Sequence, residues 1–90
     1  MNDFSQMTQN PQMSLVSVTP KTFDDVESAI ILMKDKKSVI VYTEGLDSVF
    51  AQRVMDYLSG AAYALGCELF EVAKSVYMII PGTVTVVKNN

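Results

Sequence analysis

From Ser14 onward the chain alternates between short β-branched runs and longer stretches in which apolar residues return every three or four positions. Residues 14–19 carry Leu15, Val16 and Val18 and stop before Pro20, which predicts a short strand. Phe23, Val26, Ile30 and Met33 then recur at i, i+3, i+7 and i+10, one apolar stripe on a helix of about three turns. Thr22 has the chemistry of an N-cap, with Asp25 three residues on as in a capping box. Asp24 and Glu27 put negative charge where the helix dipole is positive, and Lys34, Lys36 and Lys37 gather at the other end.

Residues 38–43 form a continuous β-branched and aromatic run, the pattern of a strand covered on both faces. Asp47 can cap a longer helix in which Phe50, Val54, Leu58, Ala61 and Leu65 make the main apolar face, widened by Ala51, Met55 and Ala62, with Gly66 as C-cap. Three strands are expected after it, over 67–72, 76–80 and 84–87, joined by Ala73-Lys74-Ser75 and by Pro81-Gly82. The order β-α-β-α-β-β-β predicts an α/β two-layer sandwich, with two helices on one face of a mixed four- to five-stranded sheet. In the last strands both alternating sets, Tyr77, Met78, Ile79 and Ile80 and then Val84, Val86 and Val87, are apolar. A sheet apolar on both faces needs a second cover, most simply a symmetric copy of itself, so a dimer is expected. Residues 1–13, rich in Asn, Gln, Ser, Thr and Met without periodicity, are expected to be a disordered tail, leaving residues 14–88 as one core domain.

Composition narrows the chemistry. Ninety residues with 49% hydrophobic and 19% charged content leave room for one small domain. Seven basic residues against ten acidic ones cannot form a broad phosphate-neutralising surface, so nucleic acid is not an expected partner. There is no histidine and a single cysteine, which excludes disulfide frameworks, multi-cysteine zinc sites and catalysis built on imidazole. No glycine-rich phosphate loop is present, and no enzyme activity, cofactor or metal is expected. No basic leader precedes an apolar run and no apolar stretch nears the ~18 residues of a membrane span, so a cytoplasmic location is expected. Cys67 reads as a buried small hydrophobe, and Asp24, Asp25 and Glu27 as helix-terminus residues rather than acid/base groups. The three lysines read as complements of the helix dipole, the other reading being contact with acidic lipid or an acidic peptide.

Gly60 stands in the middle of the second helix, where glycine costs about 1 kcal/mol relative to alanine. Ser59, Gly60, Ala61, Ala62 and Ala64 form a small-residue patch that fits either tight packing on the chain's own sheet or a contact between subunits, and the two stay open on spacing alone. Arg53 and Asp56, three apart, can pair with each other or across such a contact.

The stretch at 51–60, Ala-Gln-Arg-Val-Met-Asp-Tyr-Leu-Ser-Gly, resembles the Gln-Arg-aliphatic-aliphatic-Asp-Phe-Leu-x-Gly helix of the SepF family of cell-division proteins, with Tyr57 in the Phe place. Pro20, Val39-Ile-Val41, Leu46-Asp47, the stretch at 61–66 and Val76-Tyr-Met-Ile-Ile-Pro81 agree with it, so the resemblance runs from about residue 18 to residue 87. It implies a non-enzymatic scaffold that binds the C-terminal peptide of the tubulin-like GTPase FtsZ and helps attach the division ring to the inner side of the membrane. It also implies a homodimer that associates into higher polymers. Carried over by position, Gly60, Arg53, Asp56 and Tyr57 belong to a self-association surface, and Tyr77 occupies the family's aromatic strand position, with a role in docking the FtsZ peptide. Two departures stand out. Residues 1–13 hold only Asp3 as a charged residue and no basic amphipathic helix, which leaves direct membrane binding doubtful. Tyr42-Thr43 stands where the family often has Asn, so a contact made by that Asn does not transfer. The alternative reading is a small regulatory or ligand-binding α/β module with its pocket between helix and sheet near Tyr42 and Tyr77.

Overall fold

In a computed structural model that describes residues 15–82, the chain runs β1 (Leu15–Val18), α1 (Phe23–Lys34), β2 (Ser38–Tyr42), α2 (Ser48–Leu65), β3 (Glu68–Ala73) and β4 (Val76–Ile80). These are the expected elements, shifted by a residue at some ends. The strand expected over 84–87, the tail expected over 1–13 and the core boundary at 88 lie outside the described residues.

Local chemistry sets the helix ends. The Asp25 carboxylate accepts the backbone N–H of the N-cap Thr22 at 3.3 Å and of Lys21 before it at 2.8 Å, closing the entry to the helix. Asp47 does the same for α2, accepting from the N–H groups of Val49 and Phe50 at 3.1 Å each. At the far end Gly66 takes the left-handed conformation, φ 75°, that lets the Cys67 N–H reach the Ala62 carbonyl at 2.8 Å.

The strand order is β1-β2-β4-β3, with β1 parallel to β2 and β4 antiparallel to both β2 and β3, so the sheet is mixed as expected. It follows that β1, β2 and β3 run one way and both connecting helices return the other way. The N-termini of α1 and α2 therefore share one end of the fold and their C-termini share the other. Side-chain alternation sends Val39, Val41 and Ile79 to the helix side, where they are fully buried against Val26, Ala29 and Met33 of α1 and Val54, Leu58 and Ala62 of α2. Burying a side chain such as Met33, Leu58 or Ile79 stabilises the fold by about 1.5–3 kcal/mol each. Ala29 is a core residue that the larger members of the α1 stripe concealed, and Leu65, expected on the core face of α2, is exposed.

The other sheet face has no cover among the described residues. Register sets Met78 between Ile40 and Phe70, with Tyr42 beside Val76. Phe70 is 41% exposed and Tyr42 39%, while Ile40, Val76 and Met78 are only half-buried. The β3–β4 hairpin closes through Lys74 and Ser75, with Ser75 at φ 65° and a register irregularity between Glu71 and Ala73.

One close approach holds the end of the described chain in place. A Cβ at Gly82 would collide with the backbone carbonyl oxygen of Gly66, so the absence of a side chain at Gly82 lets the segment after β4 come directly onto the turn after α2. Gly82→Ala is expected to lower stability by roughly 1–3 kcal/mol, read as a shift in the denaturation midpoint, because backbone rather than a movable side chain must yield.

Candidate functional site

Two concave regions and one flat face present the side chains singled out from sequence. The first is a cleft of about 680 Å³ at the end of the fold where α2 begins. Tyr77 lines it from β4, Ala51, Gln52 and Met55 from α2, and Thr43 and Ser75 from the adjoining loops. Its rim is held by Thr43, which is buried. The Thr43 backbone N–H donates to the Ser75 carbonyl at 2.9 Å and its Oγ1 hydroxyl to the same oxygen at 3.3 Å, locking the loop after β2 to the β3–β4 turn. Glu44 and Lys74 flank the opening, so an occupant meets an aromatic wall and charges of both signs. Tyr42 is not part of this cleft. Tyr77 pairs with Val41, and the neighbouring Tyr42 therefore points to the uncovered sheet face, which corrects the expectation of one pocket near both tyrosines.

The second region is a groove of about 410 Å³ between the helices, lined by Phe23, Glu27, Arg53, Asp56 and Tyr57. Phe23 is its aromatic floor, meeting Phe50 and Tyr57 edge to face at centroid distances of 5.5 Å each. Arg53, Asp56, Tyr57 and Gly60 fall at i, i+3, i+4 and i+7 of α2, and all four are exposed, so the four residues expected at a self-association surface share one outward stripe. A Cβ on Gly60 would meet nothing within 4 Å. Packing on the chain's own sheet, one of the two explanations left open for this glycine, is therefore not its role. Arg53 and Asp56 do not pair with each other: the Asp56 carboxylate accepts from the Gln52 side-chain amide at 2.9 Å, and the Arg53 guanidinium is left without a partner among the described residues.

Sequence spacing does not place Phe23 and Glu27 at this site. Phe23 reads as part of the core stripe and Glu27 as a helix-terminus charge, and only the crossing of α1 over α2 brings them to Arg53. The cleft residues Thr43 and Ser75 are joined across 32 positions of sequence, beyond the reach of any local pattern.

Cys67 is half-buried and free, packed at the edge of the core rather than inside it as expected. Burial raises its thiol above the ordinary value, and the nearby Lys36 ammonium offsets part of that rise. No group of three or more His, Cys, Asp or Glu among the described residues could hold a metal ion, and no described helix is long and apolar enough to cross a membrane.

The arrangement defines a small two-layer α/β domain, built from one parallel β-α-β unit and an antiparallel hairpin, with an apolar sheet face that none of the described residues covers. The family model for cell division protein SepF matches residues 15–86, and the chain belongs to the SepF family of cell division proteins. It is 41% identical over 69 residues to the cell division protein SepF of Clostridium botulinum (strain Kyoto / Type A2), covering 77% of this chain and 46% of that protein. With the SepF of Clostridium tetani it shares 40% identity over 79 residues, 88% of this chain and 50% of the relative. The chain thus spans about half the length of the curated relatives it matches. A solved structure, a SepF-like protein from Pyrococcus furiosus, superposes with a TM-score of 0.71 over 81% of this chain and 92% of that one at 13% identity, a likeness of fold.

The raised thiol gives a direct check on the end of the fold near Gly66. Alkylation of Cys67 by iodoacetamide at neutral pH is expected to be slower than that of a free cysteine, and to rise with pH beyond the range where a free thiol levels off. Lys36→Gln removes the cation that favours the thiolate, so it is expected to slow the reaction further at a given pH, measured by mass spectrometry of timed samples.

Proposed function

We propose that this domain is a non-enzymatic scaffold of cell division. It dimerises through its uncovered sheet face, associates further through the outward stripe of α2, and takes the C-terminal peptide of FtsZ into the cleft beside Tyr77. In this way it supports assembly of the division ring and its attachment to the inner side of the membrane. The observation that carries the reading is the sheet face itself: Ile40, Phe70, Val76 and Met78 lie in register on a surface that nothing in the described chain covers. A symmetric copy supplies an equally flat apolar face at no cost in new sequence. The exposed Gly60 supports the second contact, since a helix accepts about 1 kcal/mol of destabilisation for a surface that another backbone can approach closely. The cleft supports the third, because it sets one aromatic side chain in a concave, polar-rimmed site of the size a short peptide segment fills.

Sedimentation equilibrium separates the two self-contacts. The chain is expected to be a dimer at micromolar concentration and larger above it, Met78→Glu to give a folded monomer, and Gly60→Lys to stop at the dimer. A strict monomer at high micromolar concentration overturns the scaffold reading. Titration with an FtsZ C-terminal peptide, followed by calorimetry, tests the cleft: Tyr77→Ala is expected to weaken binding by about 2 kcal/mol, roughly 30-fold, as truncation of an aromatic anchor does. Unchanged affinity in that variant puts the peptide elsewhere.

A further inference from the structure

The end of the fold opposite the cleft has its own chemistry. Because β1, β2 and β3 are parallel and both helices return antiparallel to them, the C-termini of α1 and α2, the start of β1 and the start of β2 all lie there. Lys34, Lys36 and Lys37 crowd into this end in the turn from α1 to β2, and Lys36 is near enough to Cys67 for its charge to act on the thiol. Asp35 and Glu68 are the acids at the same end. At the other end Lys21 and Lys74 stand among Asp24, Asp25, Glu27, Glu44 and Asp47, so a chain of net charge −3 is electrically polarised along its strands.

The lysine charges complement the α1 dipole, but their side chains are not needed as hydrogen-bond caps. The last carbonyls of α1 are already taken by backbone donors: Asp35 N–H reaches Ile31 at 3.0 Å, Lys36 N–H reaches Met33 at 3.0 Å and Lys37 N–H reaches Leu32 at 3.0 Å. Lys36 moreover holds φ 66°, the left-handed position where glycine is the unstrained residue. Lys36 thus keeps a cation at a position of unfavourable backbone, and no acidic side chain among the described residues is bonded to any of the three, so their charge is directed outward from the fold. Two exposed apolar side chains accompany them, Ile31 at 58% and Tyr63, in the last turn of α2, at 89%. Lysine beside exposed aliphatic and aromatic groups is the chemistry of a surface that meets the headgroup layer of a bilayer.

We propose that the end of the fold bearing Lys34, Lys36 and Lys37 rests on an anionic lipid surface, with the Tyr77 cleft facing away from it. This deepens the membrane part of the function proposed above, naming the surface that makes the contact. The basic charge in question belongs to the folded domain itself, in the turn from α1 to β2.

The test is partition of the full chain onto phosphatidylserine-rich vesicles at about 0.1 M salt, where the Debye length is about 10 Å. The wild-type chain is expected to co-sediment with these vesicles and not with pure phosphatidylcholine. Lys34→Glu combined with Lys37→Glu is expected to lower the partition constant by at least about 25-fold, at roughly five-fold for each lysine removed from the lipid surface. The control, Lys21→Glu with Lys74→Glu, makes the same change in net charge at the opposite end, on the order of 25 Å away along an 18-residue helix. It is expected to leave binding nearly unchanged, because that distance exceeds the Debye length. Equal losses in both variants, or no binding by the wild type, overturn the proposal. So does tighter binding of soluble poly-glutamate than of vesicles, which assigns the lysines to an acidic peptide. Sedimentation and FtsZ-peptide titration read the scaffold function without lipid, so either proposal can fail while the other stands.

Discussion

Everything in this domain follows from a sheet whose two faces are both apolar while the described chain provides helices for only one. In β2 and β4 the residues that alternate with Val39, Val41 and Ile79 are Ile40, Tyr42 and Met78, not charged ones. A solvated antiparallel sheet face is normally polar on alternate positions. The helix layer gains its stability by burying Val39, Val41 and Ile79, and the same strands necessarily carry the second set outward. The uncovered face is thus carried by the same strands that hold the core, on the alternate positions that point away from the helices.

Helix α2 has the same double character. Its inner line, Val54, Leu58 and Ala62, is fully or almost fully buried, while Arg53, Asp56, Tyr57 and Gly60 form the outer stripe. An 18-residue helix with a glycine in its interior needs firm ends, and Asp47 with its two accepted N–H groups and Gly66 in the left-handed conformation provide them. The stripe is therefore presented on a rigid support. The floor beneath it is also fixed, since Phe23 is wedged edge-on between Phe50 and Tyr57. Asp56 accepts a hydrogen bond from Gln52, and among the described residues the Arg53 guanidinium has no partner.

Much of the fold is legible in the sequence because period and punctuation agree at each element: 3.6-residue spacing with Thr22, Asp25, Asp47 and Gly66 at the helix ends, and continuous β-branched runs between them. The doubly apolar sheet and the oddity of Gly60 are legible too, since both are violations of a local rule. What spacing cannot reveal depends on tertiary geometry. Strand order decides that Tyr77 enters the cleft and Tyr42 the opposite face, though both lie on adjoining strands. Helix crossing brings Phe23 and Glu27 to Arg53. The depth at which Cys67 sits, at the margin of the core, is likewise set by tertiary packing that spacing does not show.

The parallel run of β1, β2 and β3 has a consequence for how one small domain can serve several contacts at once. Because both helices return antiparallel, all chemistry at strand C-termini and helix N-termini collects at one end, where the Thr43–Ser75 bonds shape the cleft. All chemistry at helix C-termini collects at the other, with the lysines. The apolar sheet face and the helical stripe lie on the two broad sides between these ends. Four surfaces facing four directions do not compete for space, so the contacts proposed for the cleft, the lysine end and the two broad sides are geometrically independent. That independence is a property of the topology, and it makes each contact separable by substitution without touching the residues that hold the core.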